Sequence, residues 1–281
     1  MIKYVFKLCI NIIIILFLIT YSFKLKANEK NTLSLITTPL HKWLTNKMLS
    51  WMPPGRSYVK DAKETSEDGK IRYGEISNAM ISVAYDPSEH PLFIGKYGRA
   101  KTLALLASIA WFESGYRRDV DLGLGKLSRG DSGKSWCMMQ IMLGRPDPVT
   151  GMTRKRVLLT NNSFKLISRK NPHWDSAYGG TDLINNRIKC FRAGLHLIRN
   201  SFHACWRSPL EDRLSVYTSG NCLSGTNASR LRIRKAQNWL SIQKPPLTDA
   251  KEIRLLYPLK NVDHEITLFQ PTNQIGIMIF N

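Results

Sequence analysis

The sequence predicts an α+β domain, mostly helical, and three segments carry that prediction. Residues 100–112, AKTLALLASIAWF, are apolar nearly all round and contain good helix formers with no breaker, the pattern of a helix buried on every side. In residues 183–205 the positions Ile184, Ile188, Phe191, Leu195, Ile198, Phe202 and Cys205 alternate steps of four and three, one continuous apolar stripe on a long helix. Between these two helices, residues 135–142 (SWCMMQIM) suit the short strands of a small sheet.

The remaining elements follow in chain order. Lys3 and Lys7 precede an apolar run from Leu8 to Phe23, and Lys24, Leu25, Lys26 and Ala27 come before the chain turns polar at Asn28. A basic start, a short apolar stretch and a small residue at the cleavage point describe a secretory signal over residues 1–27. An uncleaved inner-membrane anchor is the rival, although the run falls short of the roughly 20 residues a spanning helix needs. Either way the protein is expected outside the cytoplasm, in the periplasm or beyond the cell. Residues 28–74 read as an N-terminal extension, with an exposed charged loop over 60–70. From Tyr73 a helical pattern (Ile76, Met80, Val83, Ala84) runs to about Pro87. Gly115 is a fitting stop for the helix over 100–112. Residues 117–134 are Gly-rich and charged, and 146–180 read as loop. Shorter helices are expected over 210–217 and 228–240, the latter exposing Arg230, Arg232, Arg234 and Lys235. Residues 244–281 form a Pro-punctuated tail, of no assigned role, that closes on the apolar run 275–280.

Charge and cysteines narrow the function classes. Of 41 Lys and Arg, four lie in residues 1–27, so 37 face 21 Asp and Glu in the remainder, a net charge of +16. A basic exported protein is drawn to polyanions, here anionic envelope polymers. A nucleic-acid binder would explain the charge but neither the signal nor the cysteines, and no nucleic-acid partner is expected. Cys137, Cys190, Cys205 and Cys222 remain after the signal, and four cysteines in an exported domain read as two disulfides. On a continuous helix Cys190 and Cys205 would stand about 22 Å apart, far beyond bonding distance, which leaves two pairings open. No CxxC pair exists and the histidines show no ligand spacing, so neither a metal nor a cofactor is expected. Gly123-Leu124-Gly125-Lys126 lacks the spacing of a phosphate loop. His196 and His203 read as surface or packing residues, and Trp136 and Trp174 as either packing or sugar-stacking groups.

Glu113 is the one residue whose position suggests chemistry. A carboxylate at the end of a buried apolar helix is partly desolvated, which favours its protonated form, and the negative end of the helix dipole acts in the same direction. A carboxyl group held protonated near neutral pH is what a general acid for glycosidic cleavage requires. The plainer reading is a helix-end Glu that reaches solvent past the apolar face.

The residues around Glu113 resemble the motifs of the lytic transglycosylases. Glu113-Ser114 matches the family's Glu-Ser at the end of a core helix, and Cys137-Met138-Met139-Gln140-Ile141 stands in place of Gly-Leu-Met-Gln-Ile. Val216-Tyr217-Thr218-Ser219-Gly220 stands in place of Ala-Tyr-Asn-Ala-Gly, and Cys190-Phe191-Arg192-Ala193-Gly194 resembles the family's Asn-Ile-x-x-Gly. The resemblance spans roughly residues 75–240, with Cys137, Thr218 and Ser219 as the main departures. It implies a lysozyme-like catalytic domain over 75–243 with a small β-sheet beside the cleft, acting on peptidoglycan glycan strands. Glu113 would protonate the linkage between N-acetylmuramic acid and N-acetylglucosamine, then accept the muramoyl 6-hydroxyl proton to leave a 1,6-anhydro end. Gln140, Tyr217, Met139 and Gly220 would line the cleft, Tyr217 by hydrogen-bonding near Glu113, and Ser114 would orient Glu113 or the sugar. The resemblance also favours the pairing Cys137–Cys190 with Cys205–Cys222. A hydrolytic muramidase would want a second acid to position water; Asp119, Asp121 and Asp131 lie in the intervening segment and are expected as exposed loop residues. A non-catalytic wall-binding or secretion-assembly protein on the same fold is the alternative outside enzymes.

Overall fold

A computed structural model describes residues 38–160 and 163–256. The signal segment, residues 28–37 and the apolar run 275–280 lie outside the described residues. The chain is α+β, with helices dominating and two small two-stranded sheets. Its centre is helix α3 (Gly98–Ser114), in which Leu103 through Ala107, Ile109 and Ala110 are all buried. A helix with no polar face must be enclosed. The enclosure comes from α1 (Pro39–Trp51), α2 (Ser66–Ala84), α6 (Arg187–Ala204), α8 (Thr226–Ile242) and α9 (Asp249–Leu256), each packed against it. Short helices α4 (Arg118–Asp121), α5 (Gly180–Asn185) and α7 (Ser215–Ser219) connect these.

The boundary expected at 74/75 falls inside α2. That helix starts at Ser66, where the Thr65 side chain accepts from the Asp68 amide at 3.1 Å, so the charged stretch 60–70 is in part its first turn. Leu40, Trp43, Leu44 and Met48 of α1 are buried in the same core as Tyr73 and Ile76. Trp43 stacks on Trp239 of α8, ring centres 4.0 Å apart. The 244–281 tail is likewise integrated in part. Asp249 at the head of α9 accepts from the Arg99 and Ala100 amides at 2.9 and 3.4 Å, supplying the N-terminal acceptors that α3 lacks on its own.

The strand segment is shorter than predicted. β1 (Ser135–Trp136) and β2 (Ile141–Met142) pair antiparallel, with Trp136 opposite Ile141, and residues 137–140 turn between them. A second hairpin, β3 (Arg156–Thr160) with β4 (Ser163–Ile167), lies where loop was expected. The stripe over 183–205 is divided: Asn186 is extended (φ −142°, ψ 102°) and its side chain caps α6 by accepting from the Lys189 amide at 3.0 Å. Phe191, Leu195, Ile198 and Phe202 are buried as the stripe requires.

Two disulfides brace this frame. Cys137–Cys190 ties the β1–β2 turn to α6 across 53 residues, and Cys205–Cys222 ties the end of α6 to the loop after α7 across 17. Both fit an exported, oxidising environment. No helix among the described residues is long and apolar enough to cross a membrane. In the chain-entropy account the longer closure stabilises by about 4 kcal/mol and the shorter by about 3 kcal/mol. Replacing Cys137 and Cys190 together by Ala is therefore expected to lower the melting temperature more than replacing Cys205 and Cys222, checked by differential scanning calorimetry of both double variants.

Candidate functional site

Gly115 (φ 57°) and Tyr116 (φ 51°) both take left-handed backbone to turn the chain back at the end of α3. That conformation costs a residue such as Tyr roughly 1–2 kcal/mol. Here the ring is fully buried and its hydroxyl donates to the Ala107 carbonyl at 2.6 Å. The turn leaves Glu113 at the rim of the core, its side chain 18% exposed.

The partner of Glu113 is Arg232 of α8. Its Nε and Nη2 both donate to Glu113 Oε1, at 3.0 and 2.7 Å, and Nη1 donates to the Ala228 carbonyl at 2.8 Å. The guanidinium carbon lies 5.0 Å from the centre of the Phe112 ring. The Arg232 carbonyl accepts from Ser108 at 2.7 Å, which fixes α8 against α3 at this residue. Glu113 Oε2 has no hydrogen bond among the described residues. Burial pushes the Glu113 carboxyl above the ordinary value, Arg232 pulls it down, and the charge of Asp131 pushes it up again; the net direction is upward.

Arg232 corrects the expectation of an exposed basic face over 230–235. The buried positions of α8 are Ser229, Ile233, Ala236 and Trp239, and Arg232 borders that stripe, whereas Arg230 and Arg234 point away and pair with Asp212 and Glu211. Helical spacing at 229, 233 and 236 held the signal that could have singled out Arg232.

The remaining predicted site residues divide. Tyr217 is close enough to Glu113 for the carboxylate, after burial, to raise its phenol well above the usual value. Its hydroxyl, however, donates to the Met139 carbonyl at 2.6 Å and not to Glu113. Met139 is fully buried against Gly194, so it belongs to the core and does not line a cleft; Met138 is buried as well. Ser114 is buried too, its hydroxyl donating to the Ala110 carbonyl at 2.6 Å and accepting from the Tyr116 amide at 3.2 Å; it closes the helix end instead of orienting Glu113. Gln140 is committed to the loop beside it: Oε1 accepts from the Gly130 amide at 2.6 Å, and Nε2 donates to the carbonyls of Cys137 and Ser128 at 3.0 and 3.3 Å. Gly220 is exposed, ends α7 with φ 86° and has open space around it.

Of the three intervening acids, Asp119 and Asp121 are buried, contrary to the expected exposed loop. Asp121 takes a two-pronged contact from Arg187 at 2.8 and 2.7 Å, and Arg72 lies 3.6 Å away while binding Glu64. Asp121 thus anchors α4 to α2 and α6, whereas Asp119 faces Arg117 at 3.5 Å. Asp131 is exposed, accepts from the Ser135 hydroxyl and is the acid whose charge reaches Glu113. Trp136 and Trp174 are packing residues: both are buried, with Arg129 over the first ring and Arg156 over the second. His196 is buried, 3.0 Å from both oxygens of Glu89. No cluster of three or more metal-ligating side chains occurs among the described residues. A cavity of about 490 Å³ between α9 and residues 91–96 contains none of the predicted site residues and is mostly apolar.

Comparison with protein families, curated proteins and solved structures finds no match to this chain.

The part played by Gln140 can be measured. Replacing it by Ala removes three hydrogen bonds from the 128–140 turn and leaves the Gly130 amide without its acceptor, at a cost of about 1–3 kcal/mol. The expected outcome is faster hydrogen exchange at Gly130, with the amides of α3 unchanged.

Proposed function

We propose that the protein is a lytic transglycosylase with a lysozyme-like catalytic domain, acting on the glycan strands of peptidoglycan, with Glu113 as acid and then base. The observation that carries this reading is a carboxyl group raised above its ordinary value at the end of the buried helix α3, next to residues that resemble the family's three motifs in order. In this mechanism Glu113 donates its proton to the glycosidic oxygen as the bond from that oxygen to the muramoyl anomeric carbon breaks. The carboxylate then takes the proton of the 6-hydroxyl, whose oxygen closes onto the same carbon. Arg232 holds Oε1, which leaves Oε2 to carry the proton, and its positive charge stabilises the carboxylate between the two transfers. The reading needs no second carboxylate and no external water.

A second reading, a hydrolytic muramidase, is favoured by Asp131, the acid whose charge acts on Glu113 and which could position a water. Digesting purified sacculi and analysing the fragments by mass spectrometry separates the two. Transglycosylation gives anhydromuramic ends that disappear with Glu113→Gln and persist with Asp131→Asn. Hydrolysis gives reducing ends that disappear with both variants. No fragments from the unmodified protein would sink both enzyme readings in favour of a non-catalytic wall-binding role.

Arg232 yields a pH-dependent prediction. A general acid works only while protonated, so its activity falls as pH rises through its pKa. Arg232 lowers that pKa, and Arg232→Gln should move the alkaline limb of the pH–rate profile to higher pH. An unmoved limb would mean that Glu113 is not the group whose titration limits the rate.

A further inference from the structure

A strip of alternating rings and cations leads away from Glu113. Arg232 lies over Phe112, and Phe112 meets Trp111 edge-to-face with ring centres 4.7 Å apart. Lys235 Nζ sits 3.7 Å from the centre of the Trp111 ring and 4.5 Å from that of Trp51, and Lys47 Nζ lies 5.6 Å from the same Trp51 ring. Trp51 is tied to Trp111 by an indole N–H donated to the Trp51 carbonyl at 3.3 Å. Every member of the strip is half-buried, so each keeps one side toward solvent. Three helices, α1, α3 and α8, contribute to it.

Its charge is unbalanced. Arg232 is in contact with Glu113 at 2.7 Å, but neither Lys47 nor Lys235 forms an ion pair with an acid among the described residues. Elsewhere on α8 the basic residues are matched, Arg230 with Asp212 and Arg234 with Glu211. Burial, and then the neighbouring charge of Lys47, lower the pKa of Lys235, which places two cations within each other's field. The ring faces hold the ammonium groups in place, reducing the side-chain entropy that an exposed lysine loses on binding an anion. Two positioned cations without counter-charge, partly out of water, are stabilised by an anion that brings charge-assisted hydrogen bonds to them.

We propose that Lys47 and Lys235, held on Trp51 and Trp111, form a carboxylate-binding strip that grips acidic groups carried by the peptidoglycan strand alongside Glu113. This rests on the proposed substrate and adds the feature of it that is read, its negative charge beside the bond to be cut. Trp51 and Trp111 act as rigid supports for the lysine heads, since Lys235 already covers the Trp111 face.

The test reads binding, not cleavage. Sacculi are prepared in two forms, native and with carboxyl groups converted to neutral amides by carbodiimide coupling, and co-sedimentation of the whole protein is measured on ice. Lys47→Gln with Lys235→Gln should bind native sacculi about three- to tenfold more weakly, the scale of two exposed ion pairs. It should match the unmodified protein on amidated sacculi. Lys47→Arg with Lys235→Arg should retain binding. Lys165→Gln with Lys170→Gln, which removes the same charge from the exposed β4 region, should bind like the unmodified protein. An equal loss on both forms of sacculus, an equal loss in the β4 control, or no loss at all would overturn the proposal. Charge-dependent binding together with an absence of released fragments would leave the strip standing and defeat the transglycosylase reading.

Discussion

Helix α3 sets the terms for the rest of the molecule. From Leu103 to Ala110 every side chain of this helix is buried, and a segment with no face to turn toward water is stable only when other elements surround it. Five helices do so, including one at each end of the described chain. Polar groups enter this core mainly where the enclosure stops. At the N-terminus Asp249 supplies the missing acceptors, and at the C-terminus Ser114, Gly115 and Tyr116 close the helix with their own hydrogen bonds and left-handed turns. Glu113 stands at that second exit, one residue before the close, and its environment follows from where the burial ends.

Charge is arranged around that exit in two different ways. Asp121, with Arg187, Arg72 and Glu64, forms a largely buried chain of ion pairs. Such a network holds α4 in one place, because removing any member would strand a buried charge. Glu113 is under opposing forces: desolvation and Asp131 favour the neutral form, and Arg232 favours the anion. In the proposed reaction Glu113 loses and regains a proton, and these opposing influences bear on both of its states.

What was legible in the sequence followed from strong periodicity. The apolar run 100–112, its Gly115 stop and the buried stripe Phe191, Leu195, Ile198 and Phe202 were all readable, because burial demands those residue types at those spacings. The helix α1 was not, since Trp43, Leu44 and Met48 sit among polar residues and gain their meaning only from Trp239 and Tyr73, far away in the chain. The β3–β4 hairpin had a signal, two β-prone runs joined through Asn161-Asn162, masked by the loop-like composition around it. Asn186 broke an otherwise continuous stripe because a capping side chain competes locally with helix continuation. At the candidate site the sequence reading set Tyr217 beside Glu113, and the two do lie close, although the phenol is bound to the Met139 carbonyl. It misjudged Ser114, Met139 and Gln140, whose motif positions say nothing of whether their polar groups are already spent inside the chain. Asp119, Asp121 and Arg232 were missed for the converse reason: a charged residue reads as exposed until its partner is known.

The turn at Cys137 links chemistry to compartment. Residue 137 has φ 56°, a conformation that glycine, the residue in the resembling motif, adopts without penalty and that a residue with a Cβ resists. Here a covalent bond to Cys190 takes over part of glycine's task. The turn that carries Gln140 and the Met139 carbonyl bound by Tyr217 is thus held by an oxidation event rather than by residue choice alone. A chain in a reducing environment lacks that clamp. Under the proposed function, competence is thereby tied to an oxidising compartment.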